Sequence, residues 1–289
     1  MFIKSNTIEE ISSYLKKGLK DIFSEREVSI ITQELILKRF NWNKTDFIIN
    51  KQNRLSESDL LFFRSSLKRL QANEPLQYVL GSTFFYDLEI KTDKRGLIPR
   101  PETEELVDWV VNSYKENSEI KVLDLCTGSG CIALAIKSQL PKSKISGVDV
   151  SKEALSLANE NASNLDLEVT FLEQDILEST LKLSKTKFDC WVSNPPYIPE
   201  SDKADMADNV LKYEPGLALF VDNHLPIIFY ERIAEHGLRH IKKGGSLFFE
   251  IHECFGQKVT FLLKNKGYVD VEIRKDLQGK DRMVKAILP

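Results

Sequence analysis

From residue 120 to the C-terminus, short β-forming runs alternate with stretches of helical period, and few folds accept that order. The runs predict strands at residues 122–125, 145–150, 169–172, 190–192, 246–250, 268–273 and 283–288. Helices are expected at residues 132–139, 152–162, 226–241 and 255–265. A strand that feeds a helix and then a neighbouring parallel strand must cross over the sheet, and that crossover is right-handed. The implied architecture is α/β: a Rossmann-like, mostly parallel, seven-stranded sheet with helices on both faces. Residues 276–282 leave no room for a helix between the last two strands, so that pair is expected to be antiparallel.

Residues 1–73 carry a different pattern and predict a small helical bundle. Thr7-x-x-Glu10 and Ser24-x-x-Glu27 read as capping boxes. The first is followed at helical spacing by Ile8, Ile11, Leu15, Leu19 and Ile22, the second by Val28, Ile31, Leu35 and Ile36. A short third helix is expected from Thr45 to about Asn50, and a fourth starts at Ser56 with Leu60, Phe63, Leu67 and Leu70 inward. Residues 74–96 read as a connector. Its first part, residues 74–81, breaks the helical pattern, and residues 83–91 form a β-hairpin with Tyr86-Asp87 near the turn. Residues 97–289 make up the α/β domain, which opens on Leu97-Ile-Pro-Arg-Pro-Glu-Thr-Glu104. There Pro101 suits the first helical position, and the acids after it suit the helix N-terminal dipole.

A net charge of −3, split as +3 over residues 1–80 and −6 over the rest, gives no reason to expect a general nucleic-acid binder, though it leaves room for a local basic patch. The apolar content of 42% supplies a full core. The four cysteines form no Cys-x-x-Cys pair, and the four histidines do not fall into zinc-ligand spacing with them. No metal site is expected, and free buried thiols suit a reducing cytoplasm. Residues 1–6 lack the apolar core of a signal peptide, and no apolar run reaches the roughly 18 residues that span a bilayer.

Three successive strand ends carry the marks of a nucleoside site. Asp124-Leu-Cys-Thr-Gly-Ser-Gly130 closes one strand and opens a helix, and its glycines let the backbone turn sharply beside a ligand. Alone, such a turn could bind a dinucleotide or another nucleoside cofactor, or simply pack a helix on a sheet. The next strand ends at Asp149, about 20 residues on, where a carboxylate can accept both ribose hydroxyls. The chain lacks the full Gly-x-Gly-x-x-Gly, and no Lys-Ser/Thr follows the loop, so neither a dinucleotide fingerprint nor a triphosphate loop is complete. A third strand leads to Asp175, placed to accept from an adenine amino group or to cap a helix, and to Ile176, placed to cover the ring. An adenosine cofactor without a pyrophosphate fits best, which points to S-adenosylmethionine, with S-adenosylhomocysteine as product.

A fourth strand delivers Val192-Ser-Asn-Pro-Pro-Tyr-Ile198 to the same edge, and its two prolines are expected to end sheet pairing. An amide nitrogen is a poor nucleophile because its lone pair is delocalised. Two acceptors, the Asn194 side-chain oxygen and the Pro195 carbonyl, can take its two N–H protons, orient it and raise its electron density. Pro196 stiffens the turn, and Tyr197 can pack on the planar group. Such a site works by positioning and electrostatics, without a general base before transfer.

Asn-Pro-Pro-Tyr after a strand resembles methyltransferases that act on planar NH2 groups. With Pro75-Leu-Gln-Tyr-Val-Leu-Gly81, residues 97–104, Tyr213-Glu-Pro215 and Asp276-Leu-Gln-Gly-Lys-Asp-Arg282, the chain resembles the peptide chain release factor glutamine methyltransferase family from about residue 70 onward. The resemblance implies an S-adenosylmethionine-dependent methyltransferase domain behind a helical bundle that docks substrate. The implied reaction methylates the side-chain amide of the glutamine in the Gly-Gly-Gln loop of class I release factors. Asn194, Pro195, Pro196 and Tyr197 would hold that glutamine. Cys126, Thr127, Gly128, Ser129, Gly130, Asp149, Asp175 and Ile176 would line the cofactor, with Asn194 near its methyl and Phe85 near its methionine end. Two departures stand out. Cys126 replaces the usual glycine, which is tolerable at negative φ, and His252 replaces another, with a structural role expected. Adenine-N6 or guanine-N2 methylation of nucleic acid is the alternative reading, and a non-catalytic scaffold a third. The expected form is a cytoplasmic monomer with no direct DNA or membrane binding.

Overall fold

The computed structural model describes residues 6–117, 119–183 and 187–289. The first five residues, where the sequence shows no leader core, lie outside the described residues. The chain forms two compact units, Met1–Gly81 with Asp208–Tyr213, and Ser82–Ala207 with Glu214–Pro289.

The first unit contains α1 (Ile8–Leu19), α2 (Glu25–Phe40), α3 (Lys44–Ile49), α4 (Glu57–Gln71), α5 (Leu76–Leu80) and, from later in the chain, the helix Asp208–Tyr213, α9 in chain order. Ser24, Asn43 and Ser56 each close a reciprocal capping box, and the Glu10 N–H donates to Thr7 Oγ1 at 3.3 Å. These caps satisfy helix-end donors that water would otherwise have to serve. The apolar stripes of α1, α2 and α4 meet in one core around Ile11, Leu15, Leu35, Phe63 and Leu70. One expectation fails here: residues 76–80 are helical. Pro75 precedes the helix and Gly81 ends it at φ 79°, so the two residues read as breakers are its boundaries. Arg69 fixes this corner. It donates to both Glu74 oxygens, at 2.8 and 2.6 Å, and to the Tyr78 carbonyl at 2.8 Å.

The second unit opens with the hairpin β1 (Ser82–Phe85) and β2 (Leu88–Lys91). Its two turn residues, Tyr86 and Asp87, take φ 48° and 64°, the left-handed pair that a two-residue hairpin requires. Then follow α6 (Pro101–Tyr114), β3 (Lys121–Leu125), α7 (Cys131–Gln139), β4 (Lys144–Asp149), α8 (Lys152–Asn164), β5 (Thr170–Glu173) and β6 (Phe188–Ser193). After β6 come the two-residue strands β7 (Ile198–Pro199) and β8 (Phe220–Val221), then α10 (Ile228–His240), β9 (Ile241–Glu250), α11 (Gly256–Asn265), β10 (Val269–Lys275) and β11 (Asp281–Ile287). The main sheet has seven strands in the order β10-β11-β9-β6-β3-β4-β5. Its β3, β4, β5, β6 and β9 pair in parallel, and β11 runs antiparallel to both β9 and β10, as the short final connection predicts.

Alternation along the strands feeds two buried layers. Phe248 joins the layer beneath α6 and α7, with Leu106, Trp109 and Ile136. Its neighbours Leu247 and Phe249 join the layer beneath α10 and α11, with Tyr230, Ile233 and Val259. The two prolines after Asn194 do not end pairing for good. Ile198 and Pro199 pair in parallel with Phe220 and Val221, outside the main sheet. Proline has no N–H to give, but the Ile198 N–H still donates to the Leu219 carbonyl at 3.0 Å.

Candidate active site

β3 lies between β6 and β4, where the crossovers change side, and ligands of open α/β sheets bind outside the strand ends at that point. The carboxyl ends of β3, β4, β5 and β6 stand side by side because these strands pair in parallel. A cleft of about 720 Å³, its open mouth included, occupies this edge.

Seven of the residues singled out in the sequence line this cleft: Cys126, Gly128, Asp149, Asp175, Ile176, Asn194 and Pro196. At Gly128, φ is +55° and nothing lies within 4 Å of where a Cβ would stand, so the bare backbone faces open cleft. The Gly128 N–H donates to Asp149 Oδ2 at 2.9 Å, and the Ser151 N–H donates to Oδ1 at 2.9 Å. Each oxygen keeps a lone pair for a ribose hydroxyl. Burial raises the Asp149 pKa, against those backbone hydrogen bonds. Asp175 Oδ1 accepts from the Leu177 N–H at 2.8 Å, closing a turn and capping no helix. Its other oxygen takes no hydrogen bond in that turn and remains available to a ligand amino group. The combination of a bare glycine turn, a two-oxygen carboxylate and an apolar cover at Ile176 fits an adenosine cofactor.

Other predicted residues support the cleft without lining it. The Thr127 hydroxyl donates to Asp124 Oδ2 at 2.6 Å. The Ser129 carbonyl accepts from Asn161 Nδ2 at 3.0 Å. Gly130, at φ 80°, lets α7 start close against Phe171 and Ala158. Pro195 is buried beside Asn194. Phe85 is buried in the core beneath α6 and does not line the cleft.

Cys126 departs from expectation. Its φ is +59°, where negative φ was the condition for tolerating a Cβ. The next residue, Thr127, donates its N–H to the Val148 carbonyl at 3.0 Å. A residue with a Cβ pays roughly 1–2 kcal/mol at the φ of Cys126. Cys126→Gly is therefore expected to raise stability by about 0.5 kcal/mol, because glycine entropy offsets part of the relieved strain. Cys126→Val, β-branched, is expected to cost about 2 kcal/mol. Urea midpoints check both, and a Val variant as stable as the parent would contradict the strain. Burial pushes the Cys126 thiol pKa well up, so the group stays protonated.

The acceptor side holds a buried chain of hydrogen bonds. Asn194 Nδ2 donates to Thr103 Oγ1 at 3.2 Å, and the Thr103 hydroxyl donates to Glu250 Oε2 at 2.6 Å. The Tyr197 hydroxyl donates to Glu250 Oε1 at 3.0 Å. Burial raises the Glu250 pKa, opposed by the donations from Thr103 and Tyr197 and by the charge of Arg282. Burial, with Glu250 beside it, holds the Tyr197 phenol far above its ordinary value. The His252 ring stands edge-on to Tyr197 at 6.0 Å and its Nδ1 accepts from the Cys254 N–H.

Several contributors carried no sequence signal of their own. Thr103 and Glu250 were visible only as members of longer strings. Asn161 is fully buried and binds Lys91 N–H and carbonyl as well as the Ser129 carbonyl, tying the hairpin to the glycine loop. Burial pushes the Asp124 carboxyl up to about 7, and its Oδ1 has no hydrogen-bond partner among the described residues. Glu214, buried, accepts from the Ile98 N–H at 3.1 Å and from Arg100 at 2.6 Å, joining the Leu97 and Pro215 walls of the cleft. Among the described residues, no group of three or more His, Cys, Asp or Glu could hold a metal ion, and no helix is long and apolar enough to cross a membrane.

Comparison with known proteins bears on this geometry. The family described as "PrmC N-terminal domain" matches residues 10–81, and the one described as "Methyltransferase domain" matches residues 116–269. A release factor glutamine methyltransferase of Bacteroides thetaiotaomicron is 39% identical over 280 residues, covering 96% of this chain and 99% of the relative. One of Flavobacterium psychrophilum is 38% identical over 285 residues, covering 96% and 98%. The crystal structure of a methyltransferase from Pyrococcus furiosus shares the fold, with a TM-score of 0.51 at 16% identity over 77% of this chain and 98% of that one.

Proposed function

The chain belongs to the release factor glutamine methyltransferase family, and from that premise we propose that it methylates the side-chain amide of the glutamine in the Gly-Gly-Gln loop of class I release factors. It is an S-adenosylmethionine-dependent methyltransferase. The observation that carries the proposal is that Asn194 opens onto the same cleft as Gly128, Asp149 and Ile176. An acceptor amide held by Asn194 is thereby beside whatever the glycine turn and Asp149 hold.

When bound, S-adenosylmethionine supplies a methyl group already activated by its sulfonium. Cys126 and Gly128 would give backbone to the cofactor, Asp149 would accept from its ribose, Asp175 would accept from its adenine and Ile176 would cover the ring. Asn194 Oδ1 and the Pro195 carbonyl accept the two N–H protons of the substrate amide. That turns the nitrogen toward the cleft and raises its electron density. Tyr197 is tied to Glu250 by its hydroxyl, and its ring would pack on the acceptor amide. With the reacting groups held in place, most of the rate comes from orientation.

Residues 1–73 are read as the docking module for the protein substrate. The support is that Ile48, Ile49 and Leu61 are 63%, 74% and 59% exposed on that helical unit. The free thiols suit the cytoplasm, and a monomer without direct DNA binding is the form proposed. The test is transfer of labelled methyl to purified release factor, followed by peptide mapping. Label on the Gly-Gly-Gln peptide is expected. Label on rRNA or DNA and none on the factor would instead support base methylation. Undiminished methylation of whole factor by a chain lacking residues 1–73 would overturn the docking role.

A further inference from the structure

Glu250 is the last residue of β9 and is 1% exposed. Donors from two distant segments meet it, one on each oxygen. Tyr197, just past β6, donates to Oε1 at 3.0 Å, and Thr103, in the first turn of α6, donates to Oε2 at 2.6 Å. The Tyr230 hydroxyl donates to the Glu250 carbonyl at 3.2 Å and fixes the strand end that carries the carboxylate.

A threonine hydroxyl has one proton. With that proton committed to Glu250, Thr103 Oγ1 offers only lone pairs to Asn194. It can accept from the Asn194 NH2, at 3.2 Å, and has nothing to donate to the amide oxygen. The direction of one hydrogen bond thus sets the direction of the next. The Asn194 amide is locked with nitrogen toward Thr103 and oxygen toward the cleft. Turned over, it would present an NH2 to the NH2 of the acceptor, donor against donor. Only a carboxylate can accept from both Tyr197 and Thr103, since a glutamine in its place must point an N–H at one of them.

We propose that Glu250, acting through Thr103, is the positioning residue that selects the acceptor-binding orientation of the Asn194 amide. The inference rests on the reading in which Asn194 Oδ1 grips the substrate amide.

The experiment measures kcat and KM for methyl transfer to release factor, and cofactor affinity by calorimetry, in Thr103→Val, Thr103→Ser and Glu250→Gln. Thr103→Val keeps the shape and removes the relay. It should lower kcat at least about tenfold with cofactor Kd within about twofold of the parent. Thr103→Ser restores the hydroxyl and should recover most of the rate. Glu250→Gln keeps the side-chain size, and where its NH2 faces Thr103 it turns the threonine proton toward Asn194; the Asn194 amide is then no longer held in one orientation, and kcat should fall at least about twofold. The deciding readout is the double variant. In an Asn194→Ala background, followed by single-turnover labelling, adding Thr103→Val should cost nothing further, because the relay then has no amide to orient.

A parental kcat in both Thr103→Val and Glu250→Gln, with Asn194→Ala inactive, would overturn the proposal. So would losses that multiply in the double variant, since they would mean that Thr103 acts elsewhere. Parental turnover of Asn194→Ala itself would sink the underlying reading rather than the relay. If Thr103→Val does not fold, Glu250→Gln and its pairing with Asn194→Ala make the same comparison.

Discussion

Asn194→Ala is expected to lower turnover about a thousandfold while leaving S-adenosylmethionine affinity within about threefold of the parent. The first figure follows from the place of the lost acceptor. An oriented polar group in a water-poor site that contacts the reacting group is worth roughly 2.7–4 kcal/mol in the transition state. That converts to a factor of about 10²–10³ in rate. Asn194 is half-buried, with its NH2 on Thr103, and its truncation leaves the Asp149 and Gly128 contacts on the other strands untouched. The substitution should therefore separate kcat from cofactor binding. Single-turnover labelling gives the first quantity and calorimetry the second. Turnover at the parental rate would remove Asn194 from the acceptor site.

The relation between this site and the sequence is uneven, for physical reasons. Strands in a sheet covered on both faces are continuous apolar runs. That is why β3, β4, β6 and β9 could be located to within a few residues, except that β9 starts at Ile241, well before Ser246. Strand ends then follow, and with them Asp149 and Asn194, because parallel strands bring their carboxyl ends to one edge. The Thr103–Glu250 bond was illegible because it joins residues 147 apart in the chain. No local pattern encodes such a contact, and Glu250 reads as the end of one more strand. The sequence leaves the sign of φ at Cys126 open, since a Cβ is tolerable only at negative φ and the turn's handedness is not written in it; the structure puts it at +59°, next to Thr127, whose N–H donates to Val148 of β4. Residues 76–80 were mistaken for a break because proline before a helix and glycine after it look the same as breakers within one. Asp175 was open between a ligand contact and a helix cap. The structure keeps it at the cleft and gives the capping bond to a turn.

Asp149→Ala should weaken S-adenosylmethionine binding about a hundredfold. Two ribose hydroxyls donating to a carboxylate contribute about 1.5 kcal/mol each, together about 3 kcal/mol, or two decades in Kd. In thermal unfolding at a cofactor concentration about 100 times the parental Kd, the parent gains about 2.7 kcal/mol and the variant about 0.4 kcal/mol. Asp149 also holds the glycine turn, through Gly128 and Ser151, so the loss has two candidate sources. They separate with S-adenosylhomocysteine and its 2′,3′-dideoxy analogue. If the carboxylate binds ribose, the parent prefers the natural nucleoside strongly, and Asp149→Ala binds both about equally. If Asp149 serves only the turn, both ligands weaken together and the preference survives. The pKa direction adds a sign. Burial raises the carboxyl above its unfolded value, so its favourable share of stability is full below the unfolded pKa and is lost as pH rises through the folded one. Ribose donation stabilises the ionised form, so bound cofactor should pull that pKa down. Cofactor affinity in the parent should then rise with pH across the carboxylate range, and the Asp149→Ala variant should show no such slope.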